Sequence, residues 1–138
     1  MIYCFIDSLG FHIEKACQSE ELKKRSKQFA IRVVKLFQAL PKTEEGRVLG
    51  KQILRSGTSV AANYRAVCRA RSRAEFLAKM GVVVEEADET VFWLELLVET
   101  GIVRPSRMAA LLAEANELLA IFAASQRTGA APDTPMSQ

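Results

Sequence analysis

Four arginines, Arg65, Arg69, Arg71 and Arg73, fall within nine residues of this chain. Guanidinium forks match the paired oxygens of phosphate and carboxylate, so the cluster is equipped to hold an anion. On one continuous helix Arg65, Arg69 and Arg73 share a face, while Arg71 points elsewhere near a turn. Lys23, Lys24, Arg25 and Lys27 form a second basic run. Two readings stay open. In the first, Arg65, Arg69, Arg71 and Arg73, with Lys23, Lys24 and Lys27, contact RNA or DNA phosphates with an affinity that falls steeply with salt. In the second, they form a solvated face that pairs with the chain's own acidic residues. Little aromatic interleaving accompanies them, so base stacking is not supported.

The remaining reactive groups fail to assemble into a catalyst. Glu85, Glu86, Asp88 and Glu89 are the one dense carboxylate group. A di-metal bundle needs Glu-x-x-His pairs on two helices, and the sole histidine, His12, lies near the N-terminus. Glu85 and Glu89 repel across one helical turn unless a cation stands near, for which Arg65, Arg69 or a helix-1 lysine is expected. Ser56, Thr58 and Ser59 lack a histidine to act as base. Cys68 reads as a small buried hydrophobe. Gly57 is not in a phosphate loop, because the Gly-x-x-x-x-Gly-Lys pattern is absent. The expectation is therefore a non-enzyme with no catalytic residue, no metal and no cofactor.

The polar run Ser56-Gly57-Thr58-Ser59 interrupts a helical pattern without ending it. Small side chains at Ser56, Gly57, Ser59, Ala61 and Ala62 let a neighbouring helix come close. Ser56, Ser59 and Asn63 form a polar stripe that either faces solvent or makes a helix or subunit contact.

These residues need elements to position them, and the apolar spacing supplies four. Ser19 is expected to cap the first helix, whose stripe runs through Leu22, Phe29, Val33, Leu36, Phe37 and Leu40 until Pro41 stops it. Thr43 opens the second, with Leu49, Ile53, Val60, Tyr64 and Val67 inward. Ser72-Arg73-Ala74-Glu75 is a capping box for the third. Leu77, Met80, Val84, Ala87, Val91, Leu94 and Val98 then hold a heptad register, flanked by Trp93. Gly101 suits the residue after that helix, and Pro105 the first turn of a fourth carrying Met108, Leu111, Leu112, Ala115, Leu118, Leu119 and Phe122. No segment shows a strand's alternation. The fold class is all-α, an antiparallel up-down-up-down four-helix bundle over 19–126. Residues 1–18 read as a poorly ordered leader, with docking of Phe5, Ile6 or Phe11 on the bundle as the alternative, and 127–138 as a disordered tail.

A length of 138 residues fits one domain. The net charge of +3 conceals a polarity, because residues 20–73 sum to +10 and residues 74–101 to −6. Three cysteines without CxxC spacing favour a reducing, cytoplasmic setting. The apolar start is too short to span a bilayer, so no membrane partner is expected.

The run Arg55-Ser56-Gly57-Thr58-Ser59-Val60-Ala61-Ala62-Asn63-Tyr64-Arg65 continues into Arg69-Ala70-Arg71-Ser72-Arg73-Ala74-Glu75-Phe76. With Glu85-Glu86-Ala87-Asp88-Glu89-Thr90 and Trp93-Leu94-Glu95-Leu96-Leu97, it resembles the four-helix-bundle family also called the 23S rRNA intervening-sequence proteins, over about residues 20–125. The resemblance implies an antiparallel bundle assembled as a ring-shaped homo-oligomer such as a pentamer, and brings no catalytic residues. A similar branch, the accessory variability proteins of diversity-generating retroelements, works with a reverse transcriptase and its RNA, which makes a protein partner the alternative to nucleic acid.

Overall fold

Pro41 and Thr43 separate the first two helices as their chemistry requires. The computed structural model describes the backbone of residues 9–130 and the side chains from Ser19 onward. Helix α1 runs Leu9–Ala39, α2 Glu44–Val67, α3 Arg73–Glu99 and α4 Pro105–Ala130. Thr43 caps α2 by accepting a hydrogen bond from the Gly46 N–H at 3.1 Å. Gly101 follows α3 with φ +75°, a left-handed conformation that glycine adopts without a Cβ penalty.

The cap of α3 is not the reciprocal box expected. Ser72 Oγ accepts from the Glu75 N–H at 3.1 Å, but Glu75 Oε2 accepts from the Arg71 N–H, one residue earlier. Glu75 also pairs with Lys79 at 2.8 Å. Lys79, and after it the Arg71 N–H, hold the Glu75 carboxyl below its usual range.

Successive contacts run in opposite order on neighbouring helices. Gly50 lies against Phe37 and Leu40, Gly57 against Val33, and Cys68 beside Ser19. Arg25 of α1 reaches Glu114 and Glu117 of α4, whereas Arg32 lines a cavity with Arg107. The helices are thus antiparallel neighbours, and the α1–α4 seam is the loosest of the four.

The core of α3 is rotated from the expected seam. Phe76, Met80, Val83, Ala87, Thr90, Val91, Leu94 and Leu97 are buried, while Leu77, Val84 and Val98 flank them. Both sets keep heptad spacing and share Met80, Ala87, Val91 and Leu94. Thr90 can sit inward because its hydroxyl donates to the Glu86 carbonyl at 2.7 Å, leaving mainly its methyl to pack. By length and composition α4 is apolar enough to cross a membrane. In the bundle, its Met108, Leu111, Ala115, Leu118 and Phe122 are buried, and much of the outward remainder is alanine.

Two element boundaries differ from the expected ones. Helix α1 starts at Leu9, so Ser19 is an internal residue, buried against Cys68, and not a cap. Helix α4 continues to Ala130 because Arg73 Nε donates to the Gly129 carbonyl at 2.7 Å and Gly129 sits on the Phe76 ring. The leader expectation for 1–8, the tail expectation for 131–138 and the Phe11 side chain lie outside the described residues.

Candidate nucleic-acid interface

The reversal that sets Gly57 on Val33 and Cys68 beside Ser19 brings Arg65 level with the start of the described α1 side chains. Lys23, Lys24 and Lys27 of α1, Arg65 in the last turn of α2 and Arg69 just beyond it line one groove of about 430 Å³. Its floor is Thr58, Ala61 and Ala62, small enough to leave the groove open. None of the described lining residues is acidic. Lys23 also meets Glu20 at 2.7 Å, and that contact holds the Glu20 carboxyl below its usual range. Among the described residues, no carboxylate pairs with Lys24, Lys27, Arg65 or Arg69.

Two of the expected arginines stand apart. The four-residue spacing of Arg65, Arg69 and Arg73 assumed an unbroken helix, yet α2 ends at Val67 and α3 begins at Arg73. Arg73 turns to Gly129 on α4, and the exposed Arg71 lines no part of the groove.

The acidic face of α3 takes its cation from an unexpected residue. Arg55 pairs with Glu86 at 3.2 Å and with Glu89, whose Oε1 also accepts from Trp93 Nε1 at 3.1 Å. Arg55 first, then Trp93, hold the Glu89 carboxyl below its usual range. Arg65 cannot serve, because ten residues along α2 displace it by about 15 Å. Among the described residues, no group of three or more histidine, cysteine, aspartate or glutamate side chains could hold a metal ion.

The small-residue stripe divides between interior and rim. Ser56 and Gly57 are buried, and a Cβ on Gly57 would stand 2.8 Å from both Val33 methyls. Ser59 and Asn63 are half-buried, and Asn63 Nδ2 donates to the Ser59 carbonyl at 2.8 Å. Sequence reasoning missed a buried cluster beside the groove. Ser19 Oγ lies 2.9 Å from Cys68 Sγ, and Tyr64, fully buried, stacks on Phe122 with ring centres 5.1 Å apart. It also missed the clamp from Arg25 to Glu114 and Glu117, although the unlike charges were visible. Nothing in the spacing showed that α1 and α4 would be neighbours at that level.

The sequence model of the 23S rRNA-intervening sequence protein family matches residues 18–124. The chain belongs to this family. A similar solved structure is that of a protein of unknown function from the S23 ribosomal protein family of Bacteroides thetaiotaomicron VPI-5482. It is 35% identical with a TM-score of 0.73, and the match covers 79% of this chain and 97% of that one. No curated protein matches.

The region matched to the 23S rRNA-intervening sequence family takes in all five groove cations and the whole Ser56–Asn63 stripe. In this member, Ser56, Gly57 and Val60 are spent on packing α2 into the bundle. Arg65 and Arg69, just after this stripe, are exposed and line the groove.

Proposed function

We propose that this member of the 23S rRNA-intervening sequence family is a non-enzymatic bundle that binds nucleic acid in the α1–α2 groove. The observation behind this reading is the convergence of Lys23, Lys24, Lys27, Arg65 and Arg69 with no acidic residue in the described lining. Lys23 has a counter-charge in Glu20, but Lys24, Lys27, Arg65 and Arg69 gathered beside it raise one another's potential and favour a polyanion that supplies several phosphates together. Arginine forks add bidentate contacts. Arg71 and Arg73 are left out of this interface.

Titration of labelled RNA and DNA across a salt series tests it. Five phosphate contacts give a log–log salt slope of roughly −3.5 to −4.5. Replacing Lys27, Arg65 and Arg69 together with alanine reduces that slope by about 2 to 3 with the helical content unchanged. Absence of binding at low salt, or a triple variant that binds like the parent, overturns the proposal.

A second reading is a homo-oligomeric interaction scaffold, favoured by apolar side chains left in solvent. Phe92 is 52% exposed in edge contact with Trp93, and Val48 is 57% exposed. Large exposed apolar groups of this kind mark subunit or partner contacts when they form a patch. Mass photometry of the parent and of Phe92→Glu tests this reading, with dissociation of a parent oligomer as the expected result.

A further inference from the structure

A second cationic cleft lies on the other flank of α1. It is a cavity of about 620 Å³ in the loose seam between α1 and α4, with Arg32, Lys35, Arg104 and Arg107 around Leu36, Met108 and other apolar residues. All four cations are exposed, and none of the described lining residues is acidic.

The two clefts are joined by a helix face that offers no repulsion to an anion. From Leu22 to Thr43 the sequence contains no aspartate or glutamate. Lys24 and Lys27 mark one end of this stretch and Arg32 and Lys35 the other, with Gln28 and the 39%-exposed Ile31 between. Eleven residues separate Lys24 from Lys35, about 16 Å along the axis. Of the acids near this path, the exposed Glu21 stands just before its groove end, and three others are held by cations. Glu20 is on Lys23, and Glu114 and Glu117 are on Arg25, which closes the seam above the second cleft.

We propose that single-stranded nucleic acid crosses the outer face of α1, from the α1–α2 groove into the α1–α4 cleft, and so contacts both cation clusters. This rests on the nucleic-acid reading above and specifies its ligand. Moving between the two flanks of a helix some 10–12 Å thick requires a sharp turn within about 16 Å. A duplex with a persistence length of about 150 base pairs resists that turn, whereas a single strand rotates freely about its backbone. Duplex is therefore confined to one cleft.

The test compares single strands of about 4 and about 16 nucleotides with a duplex of the longer length, since these lengths span ordinary single-strand site sizes. The protein is the full chain and its Arg104→Ala/Arg107→Ala variant. Both side chains are exposed, so circular dichroism should match the parent. Expected is a longer strand that binds more tightly than the duplex. The variant should lose on the order of tenfold in affinity for it at 0.1 M salt, with a slope lower by about 1.4. Binding of the short strand should be unchanged. A duplex that binds as tightly as the long strand, or a variant indistinguishable from the parent on the long strand, overturns this inference. If the Lys27, Arg65 and Arg69 replacements leave the short strand's affinity unchanged, the α1–α2 groove itself fails, which is a separate result.

Discussion

Gly57 of α2 faces Val33 of α1 so closely that a Cβ would meet both valine methyls at 2.8 Å and the valine Cβ at 3.2 Å. Valine is stiff at χ1 and fully buried here, so it cannot swing aside. Alanine at position 57 would gain about 1 kcal/mol of helix propensity, but the forced separation of α1 from α2 costs more. Gly57→Ala should destabilise the bundle by a net ~1–2 kcal/mol in urea unfolding. Adding Val33→Ala should make the two changes strongly non-additive, and strict additivity would show that the contact is not the cause.

The Arg55–Glu89 pair predicts an acid limb. A carboxyl held below its ordinary range in the folded chain binds its proton less readily there than when unfolded. Its stabilisation is complete above the ordinary value of 4.5 and is lost as pH falls through the lower folded value. Both side chains are substantially exposed, at 47% and 36%, so solvent limits the pair to a few tenths of a kcal/mol, and about 1 at most. Arg55→Gln should flatten the fall in stability below pH 4.5 while leaving the Glu75–Lys79 contribution in place. An unchanged acid limb would contradict this.

Tyr64 gives the opposite sign at the alkaline end. Burial, and then the Cys68 thiol, push its phenol above the ordinary value of 10.0, so stability is intact below pH 10 and declines above it as the unfolded chain ionises. The hydroxyl also feels Ser19 but makes no hydrogen bond of good geometry among the described residues. Tyr64→Phe should therefore stabilise by about 1 kcal/mol at neutral pH and remove part of the alkaline decline. Tyr64→Ala should instead cost ~3–5 kcal/mol through the lost ring. A marked loss in the phenylalanine variant would mean that the hydroxyl is paired.

The four helices were legible because Pro41, Thr43, Ser72, Gly101 and Pro105 act within a few residues of themselves. The α3 seam was harder, since Phe76, Val83, Thr90 and Leu97 keep the same heptad spacing as Leu77, Val84, Val91 and Val98. Periodicity fixes the repeat but leaves the rotation to the neighbouring helices, and burying Thr90 depends on a backbone bond that hydropathy does not register. At the candidate site, the lysines of α1 and the arginines after Asn63 were legible as like charges. Which arginine meets the acidic helix was not, because it depends on how far α2 has advanced when it passes Glu89. That selects Arg55 in place of Arg65. The role of Arg73 was misplaced for a related reason: a break of five residues between α2 and α3 turns a shared face into two different ones.

The clamp from Arg25 to Glu114 and Glu117 bears on how the molecule comes apart. Helices α2 and α3 have close neighbours on both sides, whereas α1 and α4 meet each other loosely and are pinned across their seam by these bonds. Free energies of opening follow the density of such contacts, so amide exchange should begin along that seam, with the α2–α3 hairpin exchanging last. The bundle then behaves as a rigid central pair with the first and last helices as its breathing flaps.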